Sequence, residues 1–322
     1  MNEFVFDLKS LEVDGFYLYD GKVIKVTEII GDFDRLSVRI MDGQSSKVVT
    51  YEEIHIDELK EKLSVRDDNQ PIKHKVFDKV VCMLKHGRTP YLFGPAGTGK
   101  NVLCKQIADE MGLTFYFANA VTQEFALTGY GDANGQYVET EFFRAFTQGG
   151  LFMLDELDAS CPEALITLNA ALANRYFTFP VIGRVEAHAD FKVIAAGNSC
   201  GRGADEVYSG RSVIDGATMN RFDYIKVDYD NRIEHRLANR DSELVGFVHD
   251  LRASAKKAGY PLVLSYRNIS GVSELRDDFT IRECIEMCIT KGMGTDEVSI
   301  LHEGLSDKVN RFAKALKELT HE

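Results

Sequence analysis

The sequence predicts an α/β fold: a parallel sheet built around a phosphate-binding loop and flanked by helices, with a small β-rich module before it and a helical lid after it. Three observations predict it. Tyr91-Leu92-Phe93 runs straight into Gly94-x-x-x-x-Gly99-Lys100 and then into helical spacing, the strand–loop–helix order that a phosphate loop requires. Two further apolar runs, at 151–154 and 191–197, end in polar residues, as strands buried on both faces of a parallel sheet do. Beyond about Arg232 the apolar residues recur at helical spacing in a more polar chain.

The loop is Gly94-Pro95-Ala96-Gly97-Thr98-Gly99-Lys100, followed by Asn101 and Val102. These two open a helix whose predicted apolar face is Val102, Leu103, Ile107, Ala108 and Met111. Glycines let backbone N–H groups turn inward around a phosphate, and the helix N-terminus adds partial positive charge. Lys100 would supply a mobile full charge to the terminal phosphates. One position departs from the usual pattern: Asn101 stands where a Ser or Thr hydroxyl would bind Mg²⁺. An amide oxygen suits a hard cation, but the side chain is one atom longer. Two expectations stay open, an altered metal geometry and a degenerate site that binds nucleotide without hydrolysing it.

A chain of 322 residues, 44% hydrophobic and 27% charged, is expected to form about two domains. No apolar run reaches the roughly 18 residues of a membrane span. The first residues, Met1 to Asp7, are acidic where a secretory leader would be basic. The cysteines (Cys82, Cys104, Cys161, Cys200, Cys284 and Cys288) show no C-x-x-C spacing. Cys284 and Cys288 share a helical face with Ile281, Ile285 and Ile289, so core packing is expected rather than a metal or a disulfide. That implies a reducing compartment, most simply the cytoplasm. A formal charge of −12 argues against broad nucleic-acid affinity, while leaving room for a local basic channel.

Taken in order, residues 1–66 read as a separate β module. Its strand candidates are Phe16–Tyr19, Val23–Val26, Leu36–Ile40 and Val48–Tyr51, with turn chemistry at Asp20-Gly21, Gly31-Asp32 and Asp42-Gly43. A small barrel or sandwich fits, serving either to bind a partner or to cap the next domain. Asp67 to Pro71 is the linker candidate. The α/β domain is assigned to 72–230, opening with a helix near 75–86 and the phosphate-loop strand. A strand at 114–118 follows, then a hairpin turned at Asn134-Gly135 and a helix from about Glu139.

Leu151-Phe152-Met153-Leu154 ends in Asp155-Glu156. Ligands of parallel sheets bind outside the carboxyl ends of the strands, so both acids are expected beside Lys100. There Asp155 would hold Mg²⁺ and Glu156 would polarise the attacking water. A helix from Pro162 leads to two short strands about Ile182-Gly183, and the strand at 191–197 ends at Asn198, a candidate to orient the same water. The lid is assigned to 231–322. It contains Leu244, Phe247, Val248 and Leu251 on one helix, a capping box at Thr280–Glu283, and a final amphipathic helix marked by Leu305, Val309, Phe312, Leu316 and Leu319.

Together, Gly94 to Lys100, Leu154-Asp155-Glu156, Asn198 and Asn220-Arg221-Phe222 resemble an AAA+ ATPase. The hairpins before Glu139 and before Phe191 are similar to those of the subgroup containing MoxR-type, CbbQ/NorQ-type, cobaltochelatase-small-subunit and dynein-related ATPases. The resemblance covers about 72–275. It implies that Asn198 is sensor 1, and that Arg221 is the arginine finger reaching a neighbouring subunit's nucleotide, with Arg211 as the second choice. It also implies that Arg267 contacts phosphate as sensor 2, and that the chain forms a ring, usually a hexamer, with its hairpins facing the pore or the substrate.

The function expected is Mg²⁺-dependent ATP hydrolysis that remodels a partner protein. A nucleotide-gated scaffold with lost or weak hydrolysis is the first alternative, and a nucleic-acid motor or loader the second. The resemblance alone adds a chelatase subunit. No membrane partner is expected.

Overall fold

In a computed structural model of the chain, the described residues are 72–204, 207–305 and 309–321, together with the backbones of five strands between 16 and 64. The chain divides into two compact units, Met1–Ile72 with His235–Ser242, and Lys73–Glu234 with Glu243–Glu322.

In the first unit the strands β1 (Phe16–Tyr19), β2 (Lys22–Ile30), β3 (Ser37–Asp42), β4 (Glu52–His55) and β5 (Leu63–Ser64) pair in the order β4-β3-β2-β1-β5. All pairings are antiparallel, and a bulge between Val26 and Glu28 shifts the register of β2. The strand expected at Val48–Tyr51 lies outside the described residues.

The second unit begins with α1 (Phe77–Lys85), β6 (Pro90–Phe93), α2 (Lys100–Met111) and β7 (Phe115–Ala118). A short α3 (Phe125–Thr128) precedes the hairpin β8 (Tyr130–Gly131) and β9 (Tyr137–Val138), then α4 (Glu141–Gln148) and β10 (Gly150–Leu154). Next come α5 (Pro162–Asn174), the hairpin β11 (Tyr176–Phe179) and β12 (Gly183–Glu186), β13 (Phe191–Gly197), α6 (Gly216–Met219) and β14 (Asp223–Lys226).

The central sheet has the order β14-β6-β13-β10-β7, and every pairing is parallel. Period-two alternation sends Leu151 and Met153 to one face, where α1 and α2 cover them with Phe77, Val80, Leu103 and Ile107. Phe152 and Leu154 go to the other face, against Phe142, Phe146, Leu165 and Leu168 of α4 and α5. Burial on both faces explains why β10 is an unbroken apolar run. It also aims the carboxyl ends of β6, β10 and β13 at one edge, where their polar residues emerge together.

The chain continues through α7 (Asn231–Leu237), α8 (Ser242–Ala258), α9 (Tyr266–Leu275), α10 (Ile281–Ile285), α11 (Thr295–Glu303) and α12 (Arg311–Glu318). Leu244, Phe247, Val248 and Leu251 are all buried, and the Thr280–Glu283 capping box forms as the sequence predicts. Phe247 stacks on Phe312 with ring centroids 5.8 Å apart.

Three readings of the sequence need correction. Val102 does not share the buried face of α2: it is 62% exposed, and Cys104 takes that place beside Leu103, Ile107 and Ala108. No single helix joins Leu305 to Leu319. Asn310 caps α12 by accepting N–H bonds from Phe312 and Ala313, so the helix starts at Arg311 and leaves Val309 exposed. The cysteine helix is α-helical only to Ile285 and then widens into a π-turn over Glu286–Thr290. Periodicity marked Leu305, Phe312, Leu316 and Leu319, all buried, but not the exposed Val309, the cap at Asn310 or the local widening at Glu286. All six cysteines are free thiols. Among the described residues no helix is long and apolar enough to cross a membrane.

Candidate functional site

The loop between β6 and α2 takes its shape from close backbone approach. Gly94 has φ 152° and sits so near the Val227 carbonyl that a Cβ would collide with it. Gly97 has φ 68° and presses on the Ser265 side chain in the same way. A side chain at either position would strain the backbone and displace a neighbouring segment. The remaining bonds fix the loop from both sides. Tyr208 Oη accepts the Ala96 N–H at 2.9 Å, Tyr229 Oη donates to the Ala96 carbonyl at 3.2 Å, and Thr98 Oγ1 donates to the Pro95 carbonyl at 3.1 Å. From the start of α9, the Tyr266 N–H reaches the Gly97 carbonyl at 3.2 Å.

Lys100 is buried at the first position of α2, 6% exposed. Its ammonium donates to the carbonyls of Gly94 (2.9 Å) and Pro95 (3.0 Å) and to Asn198 Oδ1 (3.1 Å). This last bond spans from the loop to the end of β13, because β13 is the strand next to β6. Burial pushes the ammonium down to about 8, a fall that the Asp155 and Asp158 carboxylates partly oppose. The cation therefore has two acids within electrostatic reach.

Asp155 and Glu156 follow β10. The Asp155 N–H donates to the Ala118 carbonyl at 2.8 Å, and its own carboxylate accepts the Glu156 N–H at 2.9 Å. Glu156 adopts φ 51°, a left-handed conformation that costs a non-glycine residue energy and gathers at functional sites. Its side chain is 37% exposed, and its Oε1 lies 3.3 Å from Arg211 Nη2.

The structure thus brings Gly94 to Lys100, Asp155, Glu156 and Asn198 to one edge of the sheet. Asn101 and Val102 stand exposed on the first turn of α2. Arg267 is exposed at the start of α9, next to Ser265 and Tyr266, which touch the loop. Arg221 is exposed just after α6, and its guanidinium has no bonding partner among the described residues.

The sequence reading missed Asp158, Tyr208, Tyr229 and Tyr266. Asp158 carried a signal: it is an acid placed two residues past Glu156 beside the apolar Leu157. The tyrosines carried none, because each reaches the loop across a long chain separation, Tyr208 and Tyr229 at Ala96 and Tyr266 at Gly97.

The arrangement joins a glycine loop and a buried cation at the N-terminus of α2 with the acids that follow β10, the elements that a polyphosphate site uses. Asp155 and Asn101 carry the oxygen donors that a hard divalent cation would take. Among the described residues no cluster of three or more His, Cys, Asp or Glu could hold a metal by itself. A hard cation bound through one carboxylate and an amide, with phosphate oxygens completing its shell, needs no such cluster.

Residues 91–222 match the model of the AAA domain (dynein-related subfamily). Among solved structures, the chain is similar to NtrX from Brucella abortus, at 18% identity and TM-score 0.42, over 70% of this chain and 51% of that one. It is also similar to NtrX from Brucella abortus in complex with ADP, at 15% identity and TM-score 0.38, over 79% of this chain and 49% of that one. The chain spans about half the length of the NtrX chains it matches.

Proposed function

Since residues 91–222 match the model of the AAA domain (dynein-related subfamily), we propose that the chain is a Mg²⁺-dependent ATPase that works as a ring, of which a hexamer is the expected form, and remodels a partner protein. The observation that carries this reading is the meeting of Lys100 with Asn198 at 3.1 Å, with Asp155 within electrostatic reach of the same ammonium. A loop, a cation, a metal-binding acid and a water-orienting amide on one edge are what phosphoryl transfer needs, because its catalysis is mainly positioning and charge stabilisation.

In this mechanism the backbone N–H groups of 97–100 and the Lys100 ammonium hold the β- and γ-phosphates of ATP. Asp155 and Asn101 would hold Mg²⁺, which when bound would supply positive charge against the phosphate oxygens. Glu156 takes the proton of the attacking water, and Asn198 orients that water. Arg267 contacts phosphate from the same subunit, and Arg221 from the next one. The exposed apolar residues of the two hairpins, Tyr130 (47%), Val181 (63%) and Ile182 (47%), support a surface that grips another protein. The free cysteines are compatible with a reducing cytoplasm.

The direct test is phosphate release. Purified protein should release phosphate from ATP with Mg²⁺ and not with a chelator, and stable ATP binding without release would leave a nucleotide-gated scaffold instead.

Titration supplies a second expectation. Below about pH 8 the free protein carries the Lys100 charge, and above it binding must first restore a proton. ATP affinity should therefore be level from about pH 7 to 8 and then weaken by up to about tenfold per unit, as linkage requires. Calorimetric titrations across this range check it, and an affinity that stays level to about pH 9.5 contradicts it.

A further inference from the structure

Arg211 lies in the segment between β13 and α6, with only 11% of its side chain exposed, rare burial for an arginine. It faces two carboxylates of its own chain: Nη2 is 3.3 Å from Glu156 Oε1 and Nη1 is 3.6 Å from Asp158 Oδ1. Asp158 is fully buried. Its Oδ2 accepts the N–H groups of Asn198 (3.1 Å) and Ser199 (2.8 Å) and the Ser199 hydroxyl (2.7 Å). Its Oδ1 has no hydrogen-bond partner, so Arg211 provides the charge compensation that a buried carboxylate needs.

The segment around Arg211 is itself anchored. The Ser212 N–H donates to the Asp158 carbonyl at 2.8 Å, and Tyr208 Oη accepts the Ala96 N–H of the phosphate loop. Arg211 is thus engaged within its own subunit at both ends of the fork that would otherwise reach outward.

We propose that Arg211 is a positioning residue acting in cis, which ties the Glu156 carboxylate through Asp158 to the backbone of Asn198. Two residues delivered by different strands, β10 and β13, are then held as one unit before any neighbouring subunit contributes. The division of labour follows: Arg211 sets the base and the water-orienting amide from within, and Arg221 acts from outside. This inference rests on the ATPase reading above.

The test combines turnover, binding and subunit mixing. Arg211→Ala should bind ATP with unchanged KM and lose about 10²-fold or more in kcat, the scale of a misplaced general base. Arg211→Lys should recover only part, because an ammonium cannot bridge two carboxylates as a planar fork does. Millimolar guanidinium should restore activity to the alanine variant. Mixing Arg211→Ala with Lys100→Ala subunits should give no rescue, with the Arg221→Ala and Lys100→Ala mixture as the positive control. Unchanged kcat in Arg211→Ala, or rescue in its mixture, overturns the cis assignment alone. Absence of Mg²⁺-dependent hydrolysis in the wild-type protein overturns the parent reading and this one with it. Should the alanine variant fail to fold, Arg211→Lys decides, and wild-type kcat in it overturns the proposal.

Discussion

Arg221→Ala protein should bind ATP as the wild type does and hydrolyse it about 10³–10⁵-fold more slowly, the range an arginine finger contributes in GTPases. Arg221 is exposed at the end of α6, directly before Phe222 enters the core. Its position is therefore fixed while its guanidinium stays free of partners among the described residues. Asp215 feels its charge, but the Asp215 carboxyl is held low chiefly by the Thr218 hydroxyl and the Ala217 N–H. Loss of Arg221 should consequently leave stability unchanged, and a melting curve separates that from a folding defect. Mixing Arg221→Ala with Lys100→Ala subunits should restore part of the activity, since each supplies what the other lacks. Failure of rescue in assembled mixed rings would show that the arginine does not act across the interface.

Glu156→Gln should trap ATP, with affinity unchanged and turnover reduced about 10²–10⁴-fold, the usual contribution of a positioned general base. Glutamine keeps the size of the side chain and an oxygen able to accept from Arg211, but it cannot take a proton from water. The proposed phosphate contacts are those of the loop and Lys100, which the substitution does not touch. Single-turnover measurements with labelled ATP distinguish slow chemistry from weak binding, and wild-type turnover would remove Glu156 from the mechanism. The same trapped form would test for the proposed partner by affinity purification.

The parts of the fold that the sequence declared are those whose causes are local. Glycines at 94, 97 and 99 adopt positive φ values that their spacing announced, and the apolar run at 151–154 is buried on both faces because nothing polar interrupts it. The gathering of Lys100, Asp155 and Asn198 followed from the rule that parallel strands present their carboxyl ends on one edge. What escaped notice depends on distant chain segments. Tyr208, Tyr229 and Tyr266 are apolar-looking residues until the fold sets their hydroxyls on the loop and on Asp230. Arg211 read as a second candidate for the finger because its sequence surroundings say nothing of Asp158, which lies across the sheet edge. The misread final helix has a local cause of a different kind: the Asn310 cap outweighed an apolar spacing that continued through it.

The central claim is that a triphosphate is held between the loop before Lys100 and the acids after β10. Equilibrium binding of MgATP to wild-type and Lys100→Ala protein, both with normal melting curves, tests it most directly. The ammonium makes charge-assisted contacts, each worth about 1.5–3 kcal/mol, so affinity should fall by about 10²-fold or more in the variant. Equal affinity of the two proteins would contradict the account.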